Sequence, residues 1–101
     1  MSEVLKTAAV QLDISWASKE ENMSKALDAL SSLPADIDIA VLPEMFTTGF
    51  ICAPDEARLL AEPVDGTTMN ELRLWSRKSD TALCGSFIAL ENGHVYNRAF
   101  F

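Results

Sequence analysis

Ile37-Asp38-Ile39-Ala40-Val41-Leu42-Pro43-Glu44 is the stretch on which the reading of this chain turns. Ile37 to Leu42 is a short apolar run bounded by Asp36 and Pro43. Its second half carries no polar side chain, as expected of an interior strand covered on both faces. Proline locks its own backbone and has no N–H to donate, so Pro43 ends the strand sharply and holds the next residue in a defined position. That residue is Glu44. In open α/β sheets functional groups gather beyond the carboxyl ends of the strands, and Glu44 is the distinctive polar side chain put there. Met45 and Phe46 follow, so the carboxylate is expected among apolar side chains. Such surroundings favour its neutral form and suit a general base working near neutrality. The plainer alternative is an acid that opens a surface loop.

Outward from this strand the pattern alternates. Val4 to Leu12, rich in small and β-forming residues, reads as a first strand. Ser18-Lys19-Glu20-Glu21 has the spacing of a helix capping box. Behind it Met23, Ala26, Leu27, Leu30 and Leu33 recur at helical spacing, and Pro34 marks the stop. From Glu44 to Gly66 the chain reads as loop, with one short helix near Asp55 to Leu60. Thr68-Met69-Asn70-Glu71 repeats the capping-box spacing and opens a helix to about Ser79, with Met69, Leu72 and Trp75 inward. Thr81 to Leu90 is a third strand, where Gly85 marks a bulge or a close backbone approach. Asn92-Gly93 supplies the pair favoured in tight hairpins, so His94 to Phe101 returns antiparallel. The order is β-α-β-α-β-β with a mixed sheet, an α/β arrangement in one domain over residues 1–101, without repeats or linkers.

The chain has 101 residues, 49% of them hydrophobic and 23% charged, which is globular rather than disordered composition. A formal net charge of -7 disfavours nucleic acid and anionic membrane as partners, since both need clustered Lys and Arg. No apolar stretch reaches the roughly 18–20 residues of a membrane span. Met1-Ser2-Glu3 opens no signal peptide, because Gln11 and Asp13 interrupt the apolar run that follows Lys6. Two unspaced cysteines fit a reduced cytoplasmic protein better than a disulfide scaffold.

Several segments together resemble a known family. Ala8-Ala9-Val10-Gln11-Leu12, Val41-Leu42-Pro43-Glu44-Met45-Phe46, Cys84-Gly85-Ser86 and Tyr96-Asn97-Arg98 occur in the order and spacing of the carbon–nitrogen hydrolase (nitrilase) superfamily. The longer run Leu42 to Phe50 looks most like its bacterial omega-amidase branch. The resemblance implies a four-layer αββα sandwich, of which this chain supplies the N-terminal part. It also implies a Glu-Lys-Cys catalytic set, a small amide substrate, no cofactor, and association as a homo-oligomer, commonly a dimer. By motif position Glu44 is the family's general base: it takes the thiol proton, because a thiol needs a base to become a good nucleophile. The lysine stabilises the oxyanion.

The lysine and the cysteine of that set do not carry over to positions in this sequence. Lys6, Lys19, Lys25 and Lys78 stand in other contexts, and both partners are expected beyond Phe101. Cys84 reads as an inert core thiol, and Cys52 lies in a loop without the family's motif around it. On this reading the 101 residues alone are catalytically inactive. The alternative function is an inactive truncated interaction or assembly module, since an incomplete sheet offers open edges and an uncovered apolar face.

Other residues carry weaker signals. Phe46 and Phe50 are candidates to line a substrate pocket, although aromatics at strand ends are more often core. Asn97 and Arg98 either orient that pocket or face solvent. Gln11, at the end of the first strand, is placed to hydrogen-bond Glu44 if the two strands are neighbours. His94 is the sole histidine and sits beside a turn, and with no Cys-x-x-Cys pair nothing supports a zinc site.

Overall fold

A computed structural model describes residues 4–101. Residues 1–3, where the stretch read as lacking a signal peptide begins, lie outside the described residues. The elements are β1 (Thr7–Ala9), α1 (Lys19–Ser31), β2 (Ile39–Val41), α2 (Pro54–Leu60), α3 (Thr67–Ser79), β3 (Ala82–Glu91) and β4 (His94–Phe100). The strands form one sheet in the order β1-β2-β3-β4. The first three run parallel and β4 returns antiparallel. The α/β class and the mixed sheet are as the sequence predicts. The short helix expected near Asp55 to Leu60 forms as α2, and counting it makes the order β-α-β-α-α-β-β.

β1 and β2 are shorter than the apolar runs that contain them, because pairing stops where the partner stops. Ala8 pairs Ala40 and Ala40 pairs Leu83, three residues deep across the sheet. The Val10 N–H still bonds the Val41 carbonyl at 2.8 Å, after which the two chains part. β3 and β4 are joined by Asn92 and Gly93, both at positive φ (52° and 76°), which is the backbone a two-residue hairpin needs to follow the strand twist.

Helices α1 and α3 cover one face of the sheet. Met23, Ala26 and Leu30 from α1 and Leu72 from α3 pack on Ala40, Leu42, Phe46 and Leu83, with Leu27, Leu33, Met69 and Trp75 half-buried around them. These are the helix faces that the spacing marks. The opposite face is not covered along β2. Val41 is 39% exposed, so the expectation of a strand buried on both sides holds for the α1 and α3 side only. Cys84, expected in the core, sits half-buried on that second face for the same reason. Gly85 marks a close approach, not a bulge. The register runs through it unbroken, and a Cβ there would lie 3.0 Å from the Phe100 ring and 3.2 Å from Leu42.

Neither capping box forms. Ser18 occupies the position before α1, but its hydroxyl donates to the Trp16 carbonyl, while Glu21 pairs with Lys25 one turn on. At α3 the helix begins one residue earlier, at Thr67. Glu62, from outside the helix, accepts both the Thr68 N–H (2.8 Å) and the Thr68 hydroxyl (2.9 Å). A carboxylate there satisfies an orphan donor and opposes the positive end of the helix dipole.

Lys6 and Asp36 tie the start of β1 to the turn before β2 by a charge-assisted hydrogen bond. That bond and the attraction between the charges lower the Asp36 carboxyl and raise the Lys6 ammonium from their ordinary values. The Asp36 contribution is therefore present above the normal carboxylate range and lost as pH falls through its lowered value. The Lys6 contribution is present below the normal lysine range and lost as pH rises through its raised value. Both groups are exposed, so salt screens the pair. Asp36→Asn is expected to lower the urea midpoint slightly at neutral pH. The difference should shrink in high salt and vanish in acid below the carboxylate range. A gap between variant and parent that ignores both salt and acid would overturn this account.

Candidate active site

The chain leaves β2 through Leu42, whose N–H bonds the Cys84 carbonyl at 2.8 Å. It then turns within Pro43-Glu44-Met45. Met45 sits at φ 48°, the left-handed region, which costs an L-residue about 1–2 kcal/mol. Its surroundings hold it there. The Met45 N–H donates to the buried Ser86 hydroxyl at 2.9 Å. The Phe46 N–H reaches the Ser86 carbonyl at 3.3 Å, and the Met45 carbonyl accepts from Gly49 at 2.9 Å. The Met45 side chain is buried with Ile51 and Ile88. Phe46 is fully buried, edge-on to Phe100 with ring centroids 6.4 Å apart.

These anchors decide where Glu44 goes. With Met45 and Phe46 both pulled inward, the residue before them is turned out. Glu44 is exposed, not among apolar side chains as the sequence predicts. Its carboxylate Oε2 accepts a 3.0 Å hydrogen bond from the Asn97 amide of β4. Gln11 is exposed and makes no hydrogen bond to Glu44. Arg98 points along the hairpin, where it pairs with Glu91 at 2.6 Å and lies 5.7 Å from the Tyr96 ring centre.

Beside the Glu44–Asn97 pair lies an open cleft of about 530 Å³, whose walls include Phe50, Cys52, Arg58, His94, Tyr96 and Asn97. Phe50, half of the aromatic pair predicted for a pocket, lines this cleft. Phe46, the other half, belongs to the core and contributes nothing to the lining. Its partner ring on β4 comes from the far end of the chain, and local sequence does not reveal that packing.

Two residues that support the turn carry roles the sequence reading does not assign. Ser86 lies within Cys84-Gly85-Ser86, but the motif does not say that its hydroxyl caps the Met45 amide. Asn22 is 1% exposed inside α1. Its amide donates to the carbonyls of Ser15 and Thr47, each at 2.7 Å, and accepts from the Ser15 N–H at 2.8 Å. It thus clamps the loop before α1 to the loop after Glu44. A signal for it exists: Asn22 stands in the same i, i+4 row as Ala26 and Leu30, and a polar group on a buried stripe must find partners.

Residues 6–101 match the carbon-nitrogen hydrolase family. The chain belongs to that family. It is 32% identical to an (R)-stereoselective amidase of a Pseudomonas species over 93 residues, covering 92% of this chain and 34% of that protein. It is 37% identical to the omega-amidase YafV of Yersinia enterocolitica over 87 residues, covering 85% of this chain and 31% of that protein. The crystal structure of XC1258 from Xanthomonas campestris, described as a CN-hydrolase superfamily protein with an arsenic adduct in the active site, superposes with a TM-score of 0.85. There the identity is 30%, over 94% of this chain and 35% of that one. The chain thus spans about a third of the length of the relatives it matches.

Two substitutions test the support of the turn. Ser86→Ala leaves the buried Met45 N–H without its partner and is expected to cost about 1–3 kcal/mol in urea unfolding. Asn22→Leu orphans the Ser15 N–H and the Thr47 carbonyl, leaves the Ser15 carbonyl only the Ser18 N–H, and is expected to cost about 2–4 kcal/mol. Midpoints equal to those of the parent chain would show that neither clamp holds the turn.

Proposed function

We propose that this chain is the part of an amide-cleaving carbon–nitrogen hydrolase that carries the general base, Glu44, and that the substrate is a small ω-amide. The observation that carries the reading is the turn itself. A carboxylate stands just beyond the carboxyl end of β2, next to a left-handed Met45 pinned by Ser86, and among the described residues its hydrogen-bond partner is the neutral amide of Asn97. Family membership and the amidases among the relatives support the reaction class.

In the proposed reaction the S–H proton of a cysteine passes to Glu44, and the thiolate sulfur bonds the amide carbon. A lysine stabilises the oxyanion that forms. The proton moves on to the departing nitrogen as the C–N bond breaks and ammonia leaves. Water then gives a proton to Glu44 and its oxygen to the thioester, which releases the acid and restores the thiol. The cysteine and lysine of this scheme are assigned to the two thirds of the family fold that the relatives carry outside the matched region. Cys52 lines the cleft and Cys84 lies in β3, and neither has the family's surroundings. The face bearing the exposed Val41 is read as the one that packs against a second sheet in a four-layer sandwich.

The test is ammonia release from a succinamate-type amide by an enzyme-length protein carrying this segment. Glu44→Gln is expected to lower kcat by about 10²- to 10⁴-fold with an unchanged thermal midpoint, since the side chain is exposed. Turnover by the Gln variant close to that of the parent would sink the assignment of Glu44.

A further inference from the structure

We infer that Asn97 is a positioning residue for Glu44. It holds one carboxylate oxygen, so that the other is the oxygen that takes and returns the proton. The inference rests on reading Glu44 as the base, and adds to it the device that orients that base.

The bond joins residues 53 positions apart, Asn97 Nδ2 to Glu44 Oε2 at 3.0 Å. Both side chains are exposed, so the contact is not required to satisfy buried polarity, which water would otherwise do. What it does restrict is direction. Pro43 and the left-handed Met45 fix the backbone on either side of Glu44, which leaves the side-chain torsions as the remaining freedom. Asn97 removes that freedom from a rigid platform. It stands in the middle of β4, paired in register with Ile88, and the buried Ile88 packs with Met45 itself. The donor and the base are thus mounted on the same small cluster. Among the described residues Oε2 is the carboxylate oxygen with a hydrogen-bond partner, and Oε1 has none.

The type of donor matters as much as its position. A guanidinium in contact with Glu44 would stabilise the anion strongly and weaken it as a base. The neighbouring Arg98 is turned away and committed to Glu91 and Tyr96. Glu44 is therefore oriented by a neutral amide, which fixes geometry without setting a full positive charge against the carboxylate.

The experiment uses the enzyme-length protein and follows kcat, KM and thermal midpoint for Asn97→Ala, Asn97→Asp, Asn97→Gln and Glu44→Gln. Asn97→Ala is expected to lower kcat by roughly tenfold to a hundredfold with KM little changed, the scale of a misplaced catalytic group. Asn97→Asp is nearly isosteric but sets an anion against the carboxylate, and should lose more than the alanine variant at an unchanged midpoint. Asn97→Gln, which keeps the donor, should recover part of the loss. Suppose instead that Asn97→Asp is as fast as the parent while Glu44→Gln is inactive, or that the rate losses follow a falling midpoint. Either result overturns the positioning role alone. An active Glu44→Gln variant overturns the base assignment beneath it.

Discussion

The edge of β3 that faces β2 must be hydrogen-bonded along its length, because backbone groups inside a fold do not go unpaired without cost. β2 is too short to do this. Leu42 serves the Cys84 carbonyl and Phe46 serves the Ser86 carbonyl. Glu62 then donates to the Ile88 carbonyl and accepts from the Leu90 N–H. Three separate parts of the chain thus line one strand edge in succession. Everything between them is bent to allow it, including the turn that carries Glu44 and the whole of α2.

That arrangement explains why the turn is tight and strained. Between Leu42 and Phe46 the chain advances along β3 from Cys84 to Ser86, two residue steps of strand, while taking four steps of its own. The surplus is taken up by putting Met45 in the left-handed region and lifting Glu44 off the sheet. The strain is held by burial of Met45 and Phe46 and by the Ser86 hydroxyl. Strain of this kind persists where the surroundings over-determine it, and such places are often functional. Glu62 has a second duty, since its side chain caps α3 through Thr68 while its backbone pairs with β3. One residue therefore sets both the strand edge and the start of the next helix.

Local signals in the sequence serve well where structure is decided by neighbours. The apolar stripe Met23, Ala26, Leu30, the Asn92-Gly93 turn and the stop at Pro43 all lie where spacing and backbone chemistry put them. They mislead where a group outside the expected pattern competes. The capping boxes fail because Glu62 takes the role at α3 and because the Ser18 hydroxyl bonds Trp16 instead. Phe46 reads equally as pocket or core, and Phe100, contributed from β4, decides for the core. The burial expected for Glu44 fails because the two apolar residues after it cannot be buried without turning it outward. Asn22 is visible as a polar residue on an apolar face, but which carbonyls it holds is not.

By itself the sequence determined the element types, a mixed sheet, the hairpin, and that an acid would stand just beyond β2. These follow from periodicity, from proline and glycine geometry and from a resemblance carried by contiguous motifs. The tertiary structure alone decided that Glu44 faces outward and is held by Asn97, that Ser86 pins the turn and that Phe46 is core. Each of these depends on a contact spanning forty residues or more (Met45 to Ser86, Glu44 to Asn97, Phe46 to Phe100). Hydrogen bonds and ring contacts at that separation leave no periodicity in the chain, because they are created only when the sheet brings its strands side by side.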